Sequence, residues 1–423
     1  MGPFDNSKFW ILALSALVTL SCAGVETVRR DYQRVMTFPG RDASGDHLLL
    51  VTPTATFNAL LAMSLAQRPL RATVPVTGIP APSVVVRRIT IAPSAPDRCT
   101  NDAVWELSAD VQLLNRVFRD VRLRAQVPLI GDVRGDRLIV TIRTTQAQQI
   151  TVRWPAGWKK LVENELARKM GPMALVLRDQ LQMLLTQLEG QLSTQLTGLV
   201  RRLPLEAFTR FRLPLPSLVK AGRLPLKQFR LTSCPNGVVM RLTTTLYRTE
   251  KRLELPTSEP GSISVLVPGQ TIVGVLHWAL GHGLIAPRYN RKGDADPEGP
   301  LHITFGWGER PGVLLLRVWH LAYPAGVLTL AGRLRVWLDD NGGPNRLKLR
   351  ISRFRPVKTS GNLMFRIGAW NHEHKWAAAL DAIRTLVLPK RFRIGHASVE
   401  MTVHAVEMTP AGIVVRWRIA NGR

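Results

Sequence analysis

The sequence predicts an α+β fold of two tandem tubular units, each an antiparallel sheet laid against a long amphipathic helix. Three observations predict it. Leu177, Leu181, Leu184, Leu188, Leu192, Leu196 and Leu199 recur at steps of three and four among Gln, Thr, Arg and Glu, giving one apolar stripe on an otherwise polar helix. The segments flanking that helix are rich in Val, Ile and Thr with partial alternation, so they read as strands against which the stripe is buried. The same succession of elements then recurs about 215 residues later, a spacing that marks a duplicated domain rather than a solenoid.

The first segment stands apart from the folded chain. Phe9 to Leu20 is apolar behind a weakly charged start ending at Lys8, and twelve such residues are too few to span a bilayer. Residues 1–22 therefore read as a signal peptide. Cys22 follows the small Ser21, at the place where a bacterial lipoprotein signal is cut and its cysteine acylated. Thr19 stands where that motif usually has Leu, so plain secretion or an uncleaved anchor is the alternative. With acylation, Ala23 at the next position favours the outer membrane and the periplasmic face of the envelope.

Residues 23–45 read as a polar connector, 46–248 as the first unit, 249–261 as a linker and 262–423 as a second, shorter unit. His47 to Val51 is a strand that runs into a helix, with Thr52 as N-cap, Pro53 at the first helical position, and Phe57, Leu60, Leu61 and Leu65 as its stripe. Ser262 to Leu284 repeats this entry: Pro268 matches Pro53, Thr271 matches Thr56, Ile272 matches Phe57, Leu276 matches Leu61 and Leu280 matches Leu65. Strands follow at 83–92, 103–113, 118–128 and 137–144, and again at 301–306, 312–320, 326–338 and 346–354. Asp340-Asn341-Gly342-Gly343 is a turn signal between the last two, so antiparallel meanders are expected.

Gly171-Pro172 splits the long helix into pieces at 157–170 and 173–202, because proline removes an amide donor and clashes with the preceding turn. The counterpart in the second unit is a shorter helix at 370–388. Each unit closes with a strand pair around a Pro- and Gly-containing turn, at 228–247 and 403–420.

This order, twice over, resembles the tubular lipid-binding (TULIP) superfamily in its duplicated BPI/LBP-like form. The likeness is architectural, covers roughly residues 46 to 423 and includes the segment from Gly157 to Leu205 as the long helix of the first unit. With the N-terminal cysteine, the chain also resembles a bacterial lipoprotein family built on a domain of unknown function. The resemblance implies a strongly curved sheet wrapped around each long helix, enclosing an apolar groove for acyl chains. Phe57, Leu61, Leu65, Leu177, Leu181, Leu184, Leu188 and Leu192 are the candidate lining residues, and the plainer reading of each is packed core. Acyl chains gain about 0.8 kcal/mol for every CH₂ that such a groove buries. The implied partners are phospholipid or lipopolysaccharide, and a membrane reached through the N-terminal acyl anchor. The implied activity is holding or shuttling an amphiphile.

With 57 Lys and Arg against 30 Asp and Glu, the net charge is +27, which favours anionic partners. The arginines are scattered singly along strands (Arg333, Arg335; Arg346, Arg350) rather than massed in one block, so no specific nucleic-acid partner is expected. A basic outer face on an anchored structural protein, gripping anionic lipid or wall polymer, is the second reading of the charge. Apart from Cys22, the chain has Cys99 and Cys234, an even pair that leaves open a disulfide or two separate buried thiols.

Eight of the nine histidines follow residue 276. His372 and His374 are two apart and His277 and His282 five apart, neither of which places two rings on one helix face, and Asp294-Ala295-Asp296-Pro297-Glu298 reads as a polar turn. No GxSxG elbow, P-loop or GxGxxG follows a strand. We therefore expect no catalytic residues, metal or cofactor, and keep a hydrolase as the third reading. The tryptophans of the second half (Trp278, Trp307, Trp319, Trp337, Trp370, Trp376, Trp417) suit core packing or an interfacial belt.

Overall fold

The computed structural model describes residues 24–36, 47–76, 80–134, 137–171, 178–202, 211–214, 226–244, 246, 254–339, 343, 345–362, 364–366, 383–388 and 390–420. In the first half the strands are β1 (Leu48–Thr52), β2 (Leu70–Thr73), β3 (Ser83–Pro93), β4 (Asp102–Leu113), β5 (Arg116–Arg134), β6 (Arg137–Ile142), β7 (Gln148–Arg153), β8 (Phe211–Pro214), β9 (Leu226–Cys234) and β10 (Gly237–Thr244). In the second they are β11 (Ser262–Pro268), β12 (Arg288–Tyr289), β13 (Leu301–Trp307), β14 (Val313–His320), β15 (Gly326–Leu338), β16 (Arg346–Gly361), β17 (Ile383–Val387), β18 (Arg391–Ile394), β19 (Ala397–Met408) and β20 (Gly412–Ile419). The helices are α1 (24–36), α2 (Thr54–Gln67), α3 (Trp158–Met170), α4 (Arg178–Arg202) and α5 (Gly269–Gly281).

Every strand pairing among the described residues is antiparallel, and the strands form two curved half-barrel sheets with helices packed on them, an α+β architecture. One sheet has 14 strands, in the order β2-β3-β4-β5-β6-β8-β18-β19-β20-β11-β1-β10-β9 with β7 on β5, and the other runs β12-β13-β14-β15-β16-β17. The long β5 pairs with β4 up to Pro128 and with β6 from Leu129 onward. Gly131 on β5 lies under Phe229 and Leu231 of β9, so close that a Cβ there would stand 2.5 Å from either side chain. The end of the large sheet thus folds back over its own middle.

The duplication is visible where the halves meet. β1 and β11 pair with each other through Leu50 and Val265, and each is flanked on its outer side by the closing strand of its own half, β10 or β20. A Cβ on Gly237 would stand 2.2 Å from the Thr52 carbonyl oxygen, and one on Gly412 would stand 2.1 Å from that of Val267. The two glycines are the same joint in the two halves. The matched threonines bind across this centre: Gly261 N–H donates to Thr56 Oγ1 (2.8 Å), and Thr271 Oγ1 donates to the His47 carbonyl (2.7 Å). Thr52 is accordingly the last residue of β1 rather than an N-cap. Pro53 and Pro268 hold the cap positions, with ψ of 145° and 144°, because proline's fixed φ suits the turn from strand to helix.

The long helix is present as α3 and α4, and its buried face follows the leucine spacing from Leu188 onward but departs from it at Leu184. Leu185, Leu192, Leu196 and Val200 are buried, Leu188 and Leu199 half-buried, and Leu184 is 54% exposed beside Met183 at 66%. The burial stripe is rotated by one residue over the first turns, since α4 lies on β7 and the 3₁₀ turn Thr144–Gln146, with Trp154 Nε1 donating to Ser193 Oγ at 3.5 Å. Leu192→Ala is therefore expected to cost about 2–5 kcal/mol, and Leu184→Ala less than about 0.5 kcal/mol, in urea denaturation.

The helix expected at 370–388 is corrected over its last residues. Ile383–Val387 is strand β17, in register with Arg346 to Arg350 of β16. The β-branched and apolar run of Ile383-Arg384-Thr385-Leu386-Val387 satisfies its backbone on a sheet edge, and 370–382 lies outside the described residues. The stretch read as a polar connector also holds structure, since 24–36 is the helix α1. Of the linker, Leu255 packs on Leu49, Leu266 and Val414 and on Val51 and Val239. Cys99 and Cys234 are joined, with Sγ–Sγ 2.05 Å and Cα–Cα 4.1 Å, tying the loop between β3 and β4 to the end of β9.

α5 is held to β13 through a buried histidine. The Phe305 N–H donates to His277 Nε2 at 2.7 Å. Burial, with Arg317 nearby, lowers the His277 pKa from 6.5 to about 4. The unfolded chain takes up a proton below pH 6.5 that the folded chain refuses, so stability is full above that value and falls as pH drops toward 4. The loss is expected to approach about 3 kcal/mol by pH 4. Denaturation midpoints of wild type and His277→Gln at pH 7 and pH 4 check this, the variant losing the histidine's share of the pH dependence.

Candidate functional site

β15 reads Arg333-Leu334-Arg335-Val336-Trp337-Leu338, and strand geometry sends alternate side chains to opposite faces. Arg333, Arg335 and Trp337 are exposed on one face, while Leu334 is buried and Val336 half-buried on the other. The register with β16 places Trp337 opposite Lys348, Arg335 opposite Arg350 and Arg333 opposite Ser352. Two arginines therefore occupy facing positions on neighbouring strands, with Cβ atoms about 5 Å apart.

β14 ends its pairing at Val313, opposite Arg333, so the edge of β15 beyond that point has no strand on it among the described residues. Leu334 N–H donates to the Gly312 carbonyl (2.8 Å), and past this bond the space beside β15 opens into a cavity of about 810 Å³. Its walls are Arg333, Arg335, Arg350 and Trp337, with Leu334, Val336, Pro311 and Met408 supplying apolar surface and Ser352 a hydroxyl. Met408 comes from β19, so the cavity lies at the seam between the two sheets.

The neighbouring carboxylates are already engaged. Asp339 takes Lys348 (2.9 Å), and Glu407, next to Met408, takes Arg416 (2.9 Å). Elsewhere on the described surface, arginines meet acids: Arg87 with Asp110, Arg122 with Asp120, Arg116 and Arg168 with Glu165, Arg391 with Glu400. Arg333 and Arg335 make no ion pair among the described residues. A guanidinium presents its donors in a planar fork that matches a phosphate or carboxylate bidentately. Cationic side chains from one face of β15 and apolar surface from the other thus border the same space at the edge of the strand, with an amphipathic indole beside them, in a volume of the size that takes a small ligand.

The lining residues expected from sequence are placed elsewhere. Phe57, Leu61 and Leu65 are buried on α2 within one large core that includes Trp105, Phe118 and Ile142. Leu192 is in the same core, with Leu188 packed against it, and Leu184 faces solvent. Leu177 lies outside the described residues, as does the side chain of Leu181. A second cavity, of about 470 Å³, is lined by Asp102, Gln126, Pro128, Gln146 and Gln148, and among the described residues none of those expected lines either space.

Of the described tryptophans in the second half, Trp278, Trp319 and Trp417 are buried, Trp307 is half-buried and Trp337 is 37% exposed, at the groove. Asp294 and Asp296 sit in a turn in which Asn290 Oδ1 accepts from the N–H groups of Lys292 and Asp294, and Asp296 Oδ1 from that of Glu298. His282 Nδ1 is 2.9 Å from the Trp278 carbonyl, and His372 and His374 lie outside the described residues. Among the described residues no three metal-ligating side chains converge, and no helix is long and apolar enough to cross a membrane.

The groove was open to sequence reading. Its arginines are among those scattered singly along the strands, but alternation puts Arg333, Arg335 and Trp337 on one face, and the antiparallel register of β15 with β16 sets Arg350 beside Arg335. What the sequence lacks is the position of Met408 and the early end of β14, which turn a charged strand face into a cavity.

No family model and no curated protein sequence matches the chain significantly. Among solved structures, the chain is similar to P47 of Clostridium botulinum E1 over 90% of its own length and 100% of that chain, with a TM-score of 0.44 and 9% identity. For P47 from Clostridium botulinum A2 the figures are 88% and 96%, 0.41 and 8%. For a lipopolysaccharide binding protein they are 89% and 99%, 0.26 and 8%. Likeness at these levels assigns neither ligand nor residue roles.

Proposed function

We propose that this chain is an envelope protein that binds an anionic amphiphile, of the class of acidic phospholipid or lipopolysaccharide, and is a carrier or holder rather than an enzyme. The observation that carries the reading is that the facing Arg335 and Arg350, with Arg333, line the same cavity as the apolar Leu334, Val336 and Met408. An acidic headgroup neutralises the adjacent guanidinium groups, and the first part of an acyl chain covers the apolar floor. Trp337 suits the boundary between the two, since an indole combines apolar area with one polar edge. The net charge of +27 raises the local concentration of anions before binding.

Residues 1–22 are, on this reading, a lipoprotein signal, with Cys22 acylated and the protein held on the periplasmic face, the outer membrane being favoured by Ala23. Organic extraction and native mass spectrometry of the mature chain from a Gram-negative envelope test the function. Stoichiometric acidic lipid is expected. Lipid-free protein that also takes up no fluorescent acyl probe would contradict the reading.

A further inference from the structure

The helix α1 begins at residue 24, two residues after Cys22, and it does not hang free. Val25, Val28, Tyr32 and Val35 form one apolar face, which packs on Trp319, Leu321, Ala325 and Val327 at the β14–β15 end of the smaller sheet. The Tyr32 ring meets those of His302 and Trp319 edge-on, with centroids 5.1 and 5.8 Å apart. Arg29 Nε donates to the Leu321 carbonyl at 3.0 Å. Arg30 and Arg34 are exposed on the opposite side, while Arg29 is on the flank.

We propose that α1 is a rigid strap that holds the β14–β15 hairpin, Leu321 to Ala325, against the bilayer in which the acyl chains of Cys22 are inserted. The proposal rests on Cys22 being acylated. Two extended residues reach at most about 7 Å, and the five residues of helix from Gly24 to Arg29 add about 7.5 Å. Leu321, bonded to Arg29, therefore lies within roughly 20 Å of the anchor, and Tyr323, 61% exposed two residues further on, meets the headgroup layer. A lipoprotein on a long flexible tether has no such fixed face. The arginine groove occupies the other end of β15, about 30 Å along the strand from the hairpin.

The test uses the full acylated chain on phosphatidylcholine vesicles, which removes the attraction of an anionic surface for a basic protein. A fluorophore is placed at Tyr323→Cys or at Arg346→Cys, the latter near the groove end of β16, and energy transfer to a headgroup-labelled lipid is read. Transfer from position 323 is expected to be at least twofold stronger than from 346, and to fall to the level of 346 when Val28→Asp with Tyr32→Ala undocks α1. Equal transfer from both positions, or transfer unchanged by undocking, would overturn the strap.

Should the undocked chain not fold, hydrogen exchange of the unaltered protein decides the matter. Amides of 28–36 are expected to exchange at least tenfold more slowly than an unstructured chain, with further slowing at 321–325 on vesicles; free exchange at either site would overturn the proposal. Mass spectrometry of the N-terminal peptide separates the two claims, because an unmodified Cys22 removes the anchor while leaving the groove reading standing.

Discussion

Gly412→Val is expected to destroy the folded state, with a loss above about 4 kcal/mol, and Gly237→Val to do the same. The cause is steric and duplicated. At each site a Cβ would stand within 2.3 Å of a backbone carbonyl oxygen and within 2.9 Å of a proline Cα, and neither backbone can move without breaking the β1–β10 or β11–β20 ladder. Nothing flexible is available to give way. Gly198 provides the contrast, since it lies on α4 with nothing within 4 Å of the place a Cβ would take. Gly198→Ala should leave the protein unchanged or up to about 1 kcal/mol more stable, as alanine costs less backbone entropy in a helix. Urea denaturation of the three variants checks the set, and a folded Gly412→Val protein of near-normal stability would mean that the strand-to-helix joint is drawn wrongly.

The second large effect concerns binding. Arg335→Glu combined with Arg350→Glu is expected to weaken the uptake of acidic phospholipid at least 100-fold, because each charge-assisted hydrogen bond to phosphate contributes about 1.5–3 kcal/mol. Phosphatidylcholine uptake should change far less. A milder change, Arg350→Ser, removes one of the two facing cations and is expected to reduce affinity for acidic phospholipid by a smaller factor. Raising salt should weaken binding in wild type and have little effect on the double variant.

How far the sequence leads differs from element to element. The matched prolines, threonines and glycines of the two halves are legible because a strand-to-helix joint allows few residue types, and both copies keep them. Strand boundaries at Gly326–Leu338 and Ser83–Pro93 follow from alternation and β-branched content. The face of the long helix follows from Leu188 onward but not in the turn before it, where Leu184 and Leu185 are both apolar and only the position of the neighbouring elements decides which is covered. Ile383–Val387 reads as helix because a short apolar run fits either period, and its pairing with β16 is a long-range fact. The docking of α1 is hidden for a similar reason: Val25, Val28, Tyr32 and Val35 have helical spacing, but the charged residues between them make the segment look like solvent-exposed connector.

The groove residues are a third case. Arg333, Arg335, Trp337 and Arg350 are named by the sequence, but their meaning depends on strand register and on the missing neighbour beside β15. A basic strand face is ordinary when each arginine has its acid, as Arg87 and Arg122 do. It becomes a candidate site when the nearby acids, Asp339 and Glu407, are already paired elsewhere.

The most direct test of the central claim is photo-crosslinking with a diazirine placed near the headgroup of an acidic phospholipid, followed by peptide mapping of the adducts. Adducts are expected on the peptides that carry residues 333–337 and Met408, competed away by unlabelled acidic lipid and absent from the Arg335→Glu, Arg350→Glu protein. Adducts confined to α4 or to the β3–β5 face, with residues 333–337 clean, would contradict it and return the ligand site to the long helix.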